Sequence, residues 1–343
     1  MSYVRAYFQE SQECFLDGHV HAFTFLGGVP RRLAYDNLKS AVITVGPGQD
    51  RRLNRHFVAL RSHYLFETRF CNVASGHEKG HVENLVKHSQ RTFMTPLPTV
   101  ASLEVLNRHL EAQCRNELDK KAPRREARRG ALLEEERVRF LELPPTPFSA
   151  CRQQSTFASK QSTVRFDTND YSLPVRWAHH PVQVKGFVDR IEIWTQQQSV
   201  AIHPRSYDRH QYVLDPLHYI PLLEKKPGGI HHGRPFKGAP WGNDFACMRR
   251  ELEYRYEGEG TRKYIDILLL FTHWPVEAVH QAVSLCVKRR AFSDEAVESV
   301  LSYQPPSLST TLDLSDRPLL QMESTGIRPA SEYDVLLQEE DLS

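Results

Sequence analysis

GHVHAFTFLGGVPRRLAYDNLKSAV, residues 18–42, sets the architecture of the N-terminal part of the chain. The stretch continues an amphipathic segment that begins after Ser11, and this predicts a helix with Ser11 as its N-cap residue. Gly27-Gly28 predicts the end of that helix, because glycine takes the left-handed conformation of a helix C-terminus without strain. Residues 32–35 then predict a short strand that leads into an acidic residue, Asp36.

A second acidic residue, Glu83, lies in a comparable setting. Residues 76–84 read GHEKGHVEN, a glycine-led turn that opens a helix with Glu83 one turn in. If the fold brings Asp36 and Glu83 together, the two carboxylates supply hard oxygen ligands for Mg²⁺ or Mn²⁺. Such sites perform phosphoryl transfer, since the metal ions hold both the attacking and the leaving oxygen. Asp36 and Glu83 are therefore candidate metal ligands.

The elements around these acids alternate between strand and helix. Strands are predicted at residues 3–8, 32–35 and 65–72, and helices at residues 11–25, 54–64 and 78–93. This alternation is typical of an α/β domain. Two further helices are predicted at residues 102–118 and 131–141.

The hydrophobic period changes to two between residues 162 and 202, which predicts β-strands. Residues 167–170, DTND, predict the turn of a hairpin. We expect a small antiparallel β-barrel here, followed by a helical module, so the fold class is α/β plus β. The predicted domains are 1–96, a partial α/β catalytic core; 97–154, a helical basic linker; 155–207, the β-barrel; 208–303, a loop and helical module; and 304–343, a disordered tail.

Composition excludes some classes of protein. Of the 343 residues, 40% are hydrophobic and 25% are charged, as in ordinary globular proteins. We expect no membrane span and no secretory signal, because no apolar run is long enough and the N-terminus lacks a basic, then apolar, pattern. The six cysteines are scattered, which favours reduced thiols in a cytoplasmic protein.

Basic residues are clustered, although the net charge is only +2. Such clusters suit a polyanion such as DNA, and the alternative is a solvated helix face. The predicted DNA contacts are Lys79, Lys87, Arg91, Arg124, Arg125, Arg128 and Arg129. Basic and aromatic residues also alternate on the later strands, where they suit contacts to the DNA backbone or form an aromatic core with a charged exterior: Arg165, Arg176, Lys185, Arg190 and Arg205, with Phe166, Tyr171, Trp177 and Trp194.

Residues 18–42 and Lys79-Gly80-His81-Val82-Glu83 resemble the segments around the second and third catalytic acids of IstA-type insertion-sequence transposases. These enzymes are a branch of the DDE transposase and retroviral-integrase superfamily, and the resemblance extends to about residue 303. It implies that the first domain holds strands 3–5 of a ribonuclease-H-like fold and that the barrel is of the Mu and IstA type. It further implies that Asp36 and Glu83 hold Mg²⁺ or Mn²⁺.

The same resemblance implies several partners. Element ends and target DNA would be the substrates, an ATP-dependent protein of the IstB type would be the helper, and a second copy of the chain would form a homo-oligomer. The expected location is the cytoplasm, in association with the nucleoid.

The first catalytic aspartate of that family lies on a strand upstream of every segment present here. The aspartate that precedes Asp36 is Asp17, which lies on a predicted helix. We therefore expect an N-terminally truncated transposase that is inactive alone. The alternative is a non-catalytic, DNA-binding remnant.

Other interpretations of the two acids remain open. His77-Glu78-Lys79-Gly80-His81 matches the H-E-x-x-H pattern of zinc proteases, although Gly76 and Gly80 disfavour a regular helix there. Glu83 could also belong to a salt-bridged surface helix, and Asp36 could cap a turn.

Overall fold

The computed structural model describes residues 2–35, 42–45, 51–70, 91–95, 98–122, 125–239 and 241–303, with the backbone alone at 42–45, 51 and 52. The chain divides into two compact units, Met1–Pro240 and Trp241–Ser343. Within the described residues, no helix is both long and apolar enough to cross a membrane.

Helices and short strands alternate in the first part of unit one. They are α1 Gln12–Leu26, β1 Arg32–Tyr35, β2 Val42–Val45, β3 Arg51–Leu53, α2 Arg55–Tyr64, β4 Glu67–Phe70, α3 Leu103–Asn116 and α4 Arg129–Arg137. β1 and β4 pair in parallel, and β2 and β3 pair antiparallel. The predicted helices at residues 11–25 and 54–64 and the strand at 32–35 are therefore confirmed. Most of the helix predicted at residues 78–93 falls outside the described ranges.

Helix α1 is central to this part of the molecule. Ser11 caps it by accepting a hydrogen bond from the Cys14 backbone N–H, and Gly27 ends it with a φ of 71°. Both caps are those predicted. One face of α1 buries Phe23 in an aromatic core with Phe57 of α2. Phe25, on another face, packs in a second buried cluster that includes Leu110 of α3.

Residues 3–8 do not form the predicted strand. In the middle of this segment, the backbone of Ala6 is hydrogen-bonded to a side chain instead of to a neighbouring strand. The Ala6 N–H donates to Asn107 Oδ1 at 2.7 Å, and Asn107 Nδ2 donates to the Ala6 carbonyl at 3.1 Å. Tyr7 and Arg5 both donate to Asp17 of α1, at 2.8 and 3.2 Å. The segment is thereby fixed against α1 and α3.

Two sheets follow in unit one. Their strands are β5 Arg152–Phe157, β6 Thr163–Phe166, β7 Asn169–Ser172, β8 Pro181–Gly186, β9 Arg190–Thr195, β10 Gln198–Pro204 and β11 Tyr212–Val213. The strand orders are β10-β9-β8-β5, all antiparallel, and β11-β7-β6. The hairpin predicted at residues 167–170 is confirmed between β6 and β7. Short helices α5 Ile220–Leu223 and α6 Gly229–His232 end the unit.

The predicted closed barrel is wrong for the described strands, which form two separate sheets around one core. The reason lies where β6 meets β8. A Cβ on Gly186 of β8 would stand 2.1 Å from the Phe166 ring of β6, so the glycine lets that ring lie directly on the sheet. The two sheets therefore share one core through their side chains, and no ladder joins their described strands edge to edge.

Helices make up the described part of unit two. They are α7 Gly242–Arg255, α8 Gly260–Leu269, α9 Val276–Lys288 and α10 Asp294–Ser302. Met248, Leu268 and Val283 are fully buried within it. Ser293 caps α10 by accepting a hydrogen bond from the Ala296 N–H at 3.1 Å. The predicted helical module is confirmed, and the predicted disordered tail lies outside the described residues.

Candidate functional site

The carboxyl ends of β1 and β4 lie side by side, with Tyr35 paired to Phe70. Open α/β sheets bind their ligands at such an edge. Tyr35 is the residue directly before Asp36, and it is firmly anchored. His19 Nδ1 lies 2.7 Å from the Phe15 carbonyl, so Nδ1 carries the proton and Nε2 accepts from the Tyr35 hydroxyl at 2.8 Å.

Burial reinforces this anchor. It raises the pKa of Tyr35 and lowers the pKa of His19, so both groups are neutral at pH 7. The Tyr35 ring also meets the Phe57 ring edge-on at 5.1 Å between centroids. This His–Tyr pair was not predicted from the sequence. Its signal was a histidine on the apolar face of a helix next to an aromatic-ended strand.

The metal prediction rests on residues that the structure does not describe. Asp36, Glu83, Lys79, Lys87 and Arg124 all fall in the gaps, as does the His77-to-His81 motif, so their assignments stay predictions. Among the described residues, no group of three or more His, Cys, Asp or Glu side chains is placed to hold a metal ion.

Asp17 is committed to structural contacts. It accepts hydrogen bonds from Arg5 and Tyr7 and lies 3.5 Å from His21 Nε2. Burial alone would raise the pKa of Asp17, but the hydrogen bonds of His21 and Tyr7, with the charges of His21 and Arg5, outweigh it and hold the pKa below its usual range. This carboxylate therefore stabilises the packing of residues 3–8 on α1.

The basic stretch between α3 and α4 forms a closed loop. The Ala122 N–H donates to the Ala127 carbonyl at 3.0 Å, and residues Lys121 and Arg128 form an antiparallel bridge. Arg125 and Arg128 are exposed on this loop. Exposed guanidinium groups such as these suit contacts to DNA phosphates. Arg91, on the short helical stretch before residue 95, is exposed as well.

Arg129 has a different role from its neighbours. Its guanidinium pairs with Glu117, which is only 5% exposed and also accepts from Lys120. The hydrogen bond from Lys120, with the charges of Lys120 and Arg129, holds the pKa of Glu117 below its usual range. Arg129 thus closes the base of the loop. The sequence pattern grouped it with the exposed arginines because charge spacing does not report burial.

Arg205 is likewise structural. Its side chain and that of Glu13 on α1 are each 1% exposed, and Arg205 Nη2 donates to Glu13 Oε1 at 2.7 Å. The same guanidinium reaches Asp167 at 3.0 Å and the Phe187 carbonyl at 2.6 Å. Burial disfavours the charged guanidinium, but the hydrogen bond and charge of Glu13 outweigh it and raise the pKa of Arg205. The interaction ties α1 to the two sheets.

The remaining basic residues of the sheets stay at the surface. Lys185 Nζ lies 3.7 Å from the centre of the Trp194 ring, and Arg190 donates to Glu192 at 2.7 Å. Arg165 is paired with Asp170 at 2.8 Å. Phe166 and Tyr171 belong to the buried core, so the alternation of basic and aromatic residues is in part a packed interior with a charged exterior.

Known proteins match the two-sheet segment and most of the chain in sequence. Residues 143–215 match the family of the Mu transposase C-terminal domain. A transposase of Aminobacter aminovorans is 33% identical over 350 residues, which covers 96% of this chain and 68% of the relative. The chain belongs to the insertion-sequence transposases.

Other transposases of this family support the assignment. The transposase for insertion sequences IS1326/IS1353 of Pseudomonas aeruginosa is 34% identical over 88% of this chain and 61% of its own length. The transposase for insertion sequence element IS21 of the same organism is 27% identical over 60% of this chain and 53% of its own length. The chain thus spans about two thirds of the relatives it matches most extensively.

Proposed function

We propose that the chain acts in DNA transposition of the IstA type, in which element 3′-OH ends are joined to target DNA by metal-dependent phosphoryl transfer. The observation that supports this most is the 33% identity to a transposase over 96% of the chain. The exposed arginines of the basic loop and the match to a Mu transposase domain agree with a protein that binds DNA.

Asp36 and Glu83 are the proposed metal ligands and catalytic residues. Their carboxylate oxygens are the donor type that Mg²⁺ and Mn²⁺ take. Bound metal ions would polarise the phosphate and stabilise the attacking and leaving oxygens. The structure describes the residue directly before Asp36: Tyr35 is buried, and its hydroxyl is hydrogen-bonded to His19.

The 343-residue chain is proposed to be inactive by itself. The resemblance implies three catalytic acids, and Asp17, the aspartate before Asp36, is held by Arg5, Tyr7 and His21. The second candidate function is therefore DNA binding without catalysis. We also propose, from the IstA resemblance, an ATP-dependent helper of the IstB type and assembly of more than one copy on DNA.

A strand-transfer assay separates these functions. Purified chain would be incubated with Mn²⁺, plasmid target and a labelled duplex carrying the end of its own element, beside a Glu83→Gln variant. We expect duplex binding by both proteins and joining by neither. Joining that the Glu83→Gln variant abolishes would refute the inactivity. Absence of DNA binding as well as joining would refute a role in transposition.

A further inference from the structure

The turn between β9 and β10 is strained. Thr195 pairs with Gln198, so the loop consists of Gln196 and Gln197, whose φ angles are 48° and 65°. Two-residue hairpin loops with positive φ at both positions strongly prefer Asn-Gly, because a larger side chain is disfavoured in the left-handed region. Backbone strain of this kind is found preferentially at functional positions. The side chains at this turn therefore call for a chemical explanation.

The turn presents a row of amides to solvent. Gln196, Gln197 and Gln198 are all exposed. Beside them lies a surface cleft of about 620 Å³ lined by residues that include Phe157, Lys185 and Trp194. Phe157 is 70% exposed, although it is a large apolar side chain. None of the described residues that line this cleft is acidic, so Lys185 gives it a positive charge.

Amides beside a cation match the chemistry of duplex DNA. A glutamine amide can donate and accept together, which fits the N6 and N7 atoms of adenine in the major groove. That groove is wide enough for a two-stranded β-ribbon such as β9 and β10. A lysine on the neighbouring strand β8 suits a contact to a backbone phosphate.

We propose that the β9–β10 hairpin reads base edges in the major groove of duplex DNA through Gln196, Gln197 and Gln198, with Lys185 on the adjacent phosphate. The inference rests on the proposed function in one respect, that the chain binds DNA. It adds a sequence-reading element on the two-sheet part of the chain. Stacking of unpaired bases on Trp194 and Phe157 is the competing mode, and the test distinguishes it.

The test begins with selection. The full chain would be used to enrich duplexes from a pool with a randomised segment of about 20 base pairs, roughly two turns of the groove. Its affinity for an enriched duplex would be compared with that for a scrambled duplex and a single strand. Replacing all three glutamines with alanine should lower the ratio between enriched and scrambled duplex by about 5- to 150-fold for each bidentate hydrogen-bonded pair that the substitution removes. Affinity for the scrambled duplex and its salt dependence should stay unchanged.

Two further variants control for folding. Gln196→Asn combined with Gln197→Gly keeps the turn, removes the strain and should raise Tm by about 2–4 °C, yet it should still lose part of the discrimination. Gln161→Ala changes an exposed glutamine that does not line the cleft, and it should alter neither the Tm nor the affinity ratio between enriched and scrambled duplex.

Several results would overturn the inference. Scrambled-duplex binding without any enrichment would mean that the chain binds DNA but does not read bases. Enrichment that survives the triple alanine variant, or a preference for single strands that disappears in Trp194→Ala, would also refute it. Failure to bind any DNA would instead count against the proposed function itself.

Discussion

Glu13→Ala removes the principal partner of a buried cation. In the native protein Glu13 and Arg205 are each 1% exposed and are 2.7 Å apart. After the substitution, Arg205 keeps Asp167, which is 35% exposed, and the Phe187 carbonyl. The guanidinium then stays buried with only partial compensation for its charge.

The expected loss follows from that geometry. Removing one partner of a buried ion pair costs about 3–5 kcal/mol, because the other charge is left without its counterion. Asp167 retains part of the attraction, so we expect a cost at the lower end, about 3 kcal/mol. An exposed pair offers the matched control. Arg32 and Glu67 are 69% and 72% exposed, and Glu67→Ala should cost at most about 1 kcal/mol.

Amide hydrogen exchange measures the loss where it arises. Protection of α1 and of strand β10 should fall by about 3 kcal/mol in Glu13→Ala, while Glu67→Ala leaves both within about 1 kcal/mol of the native protein. Replacing Glu13 with leucine and Arg205 with methionine together should recover much of the loss, since no charge is then buried. A Glu13→Ala cost no larger than that of Glu67→Ala would refute the reasoning.

Two further predictions concern pH and salt. Burial lowers the pKa of His218 to about 4 from an ordinary value of 6.5, so the unfolded chain takes up a proton first as the pH falls. Lowering the pH from about 7 to about 5 should therefore reduce the unfolding free energy, measured by urea titration, by about 2 kcal/mol. A His218→Gln variant whose unfolding free energy falls equally over this pH range would contradict the prediction. In the basic loop, Arg125→Gln with Arg128→Gln should reduce the slope of log affinity for DNA against log salt by about 2 without changing Tm. Arg129→Gln should instead lower stability by about 1–3 kcal/mol and leave the slope intact, and the opposite pattern would show that Arg129 faces DNA.

Local signals in the sequence predicted much of the fold. The N-cap at Ser11 and the stop at Gly27 are decided within a few residues, because they depend on one side-chain hydrogen bond and one left-handed conformation. The β6–β7 turn was found for the same reason. The insertion-sequence transposase assignment was also reached from short segments, and the relatives confirm it.

Long-range contacts account for what the sequence did not predict. Residues 3–8 have the alternation of a strand, but Asn107, 101 positions from Ala6, supplies the two hydrogen bonds that the backbone of Ala6 would make to a neighbouring strand. Arg129 and Arg205 carry the charge expected of DNA contacts, yet each meets a buried acid. The predicted barrel is wrong because the described strands pair in two separate sheets, and a period of two predicts strands without predicting which edges pair.

The structure does not test the candidate metal site. Asp36 and Glu83 were identified by family resemblance, and the structure describes neither residue, so the pair stays a prediction. What the structure adds is the setting of Asp36, directly after a buried tyrosine held by His19. The sequence analysis did not predict that hydrogen bond, because it joins a helix to a strand 16 residues later.

The pairing of Glu13 with Arg205 also has a consequence for synthesis of the chain. The two residues are 192 positions apart. At about 5–20 residues per second, a ribosome takes roughly 10–40 s to reach Arg205 after Glu13 has been made. Throughout that interval Glu13 of α1 lacks Arg205, the cation that compensates its charge in the folded chain. In a nascent chain, α1 can therefore pack against Phe57 of α2 well before its buried ion pair with Arg205 is able to form.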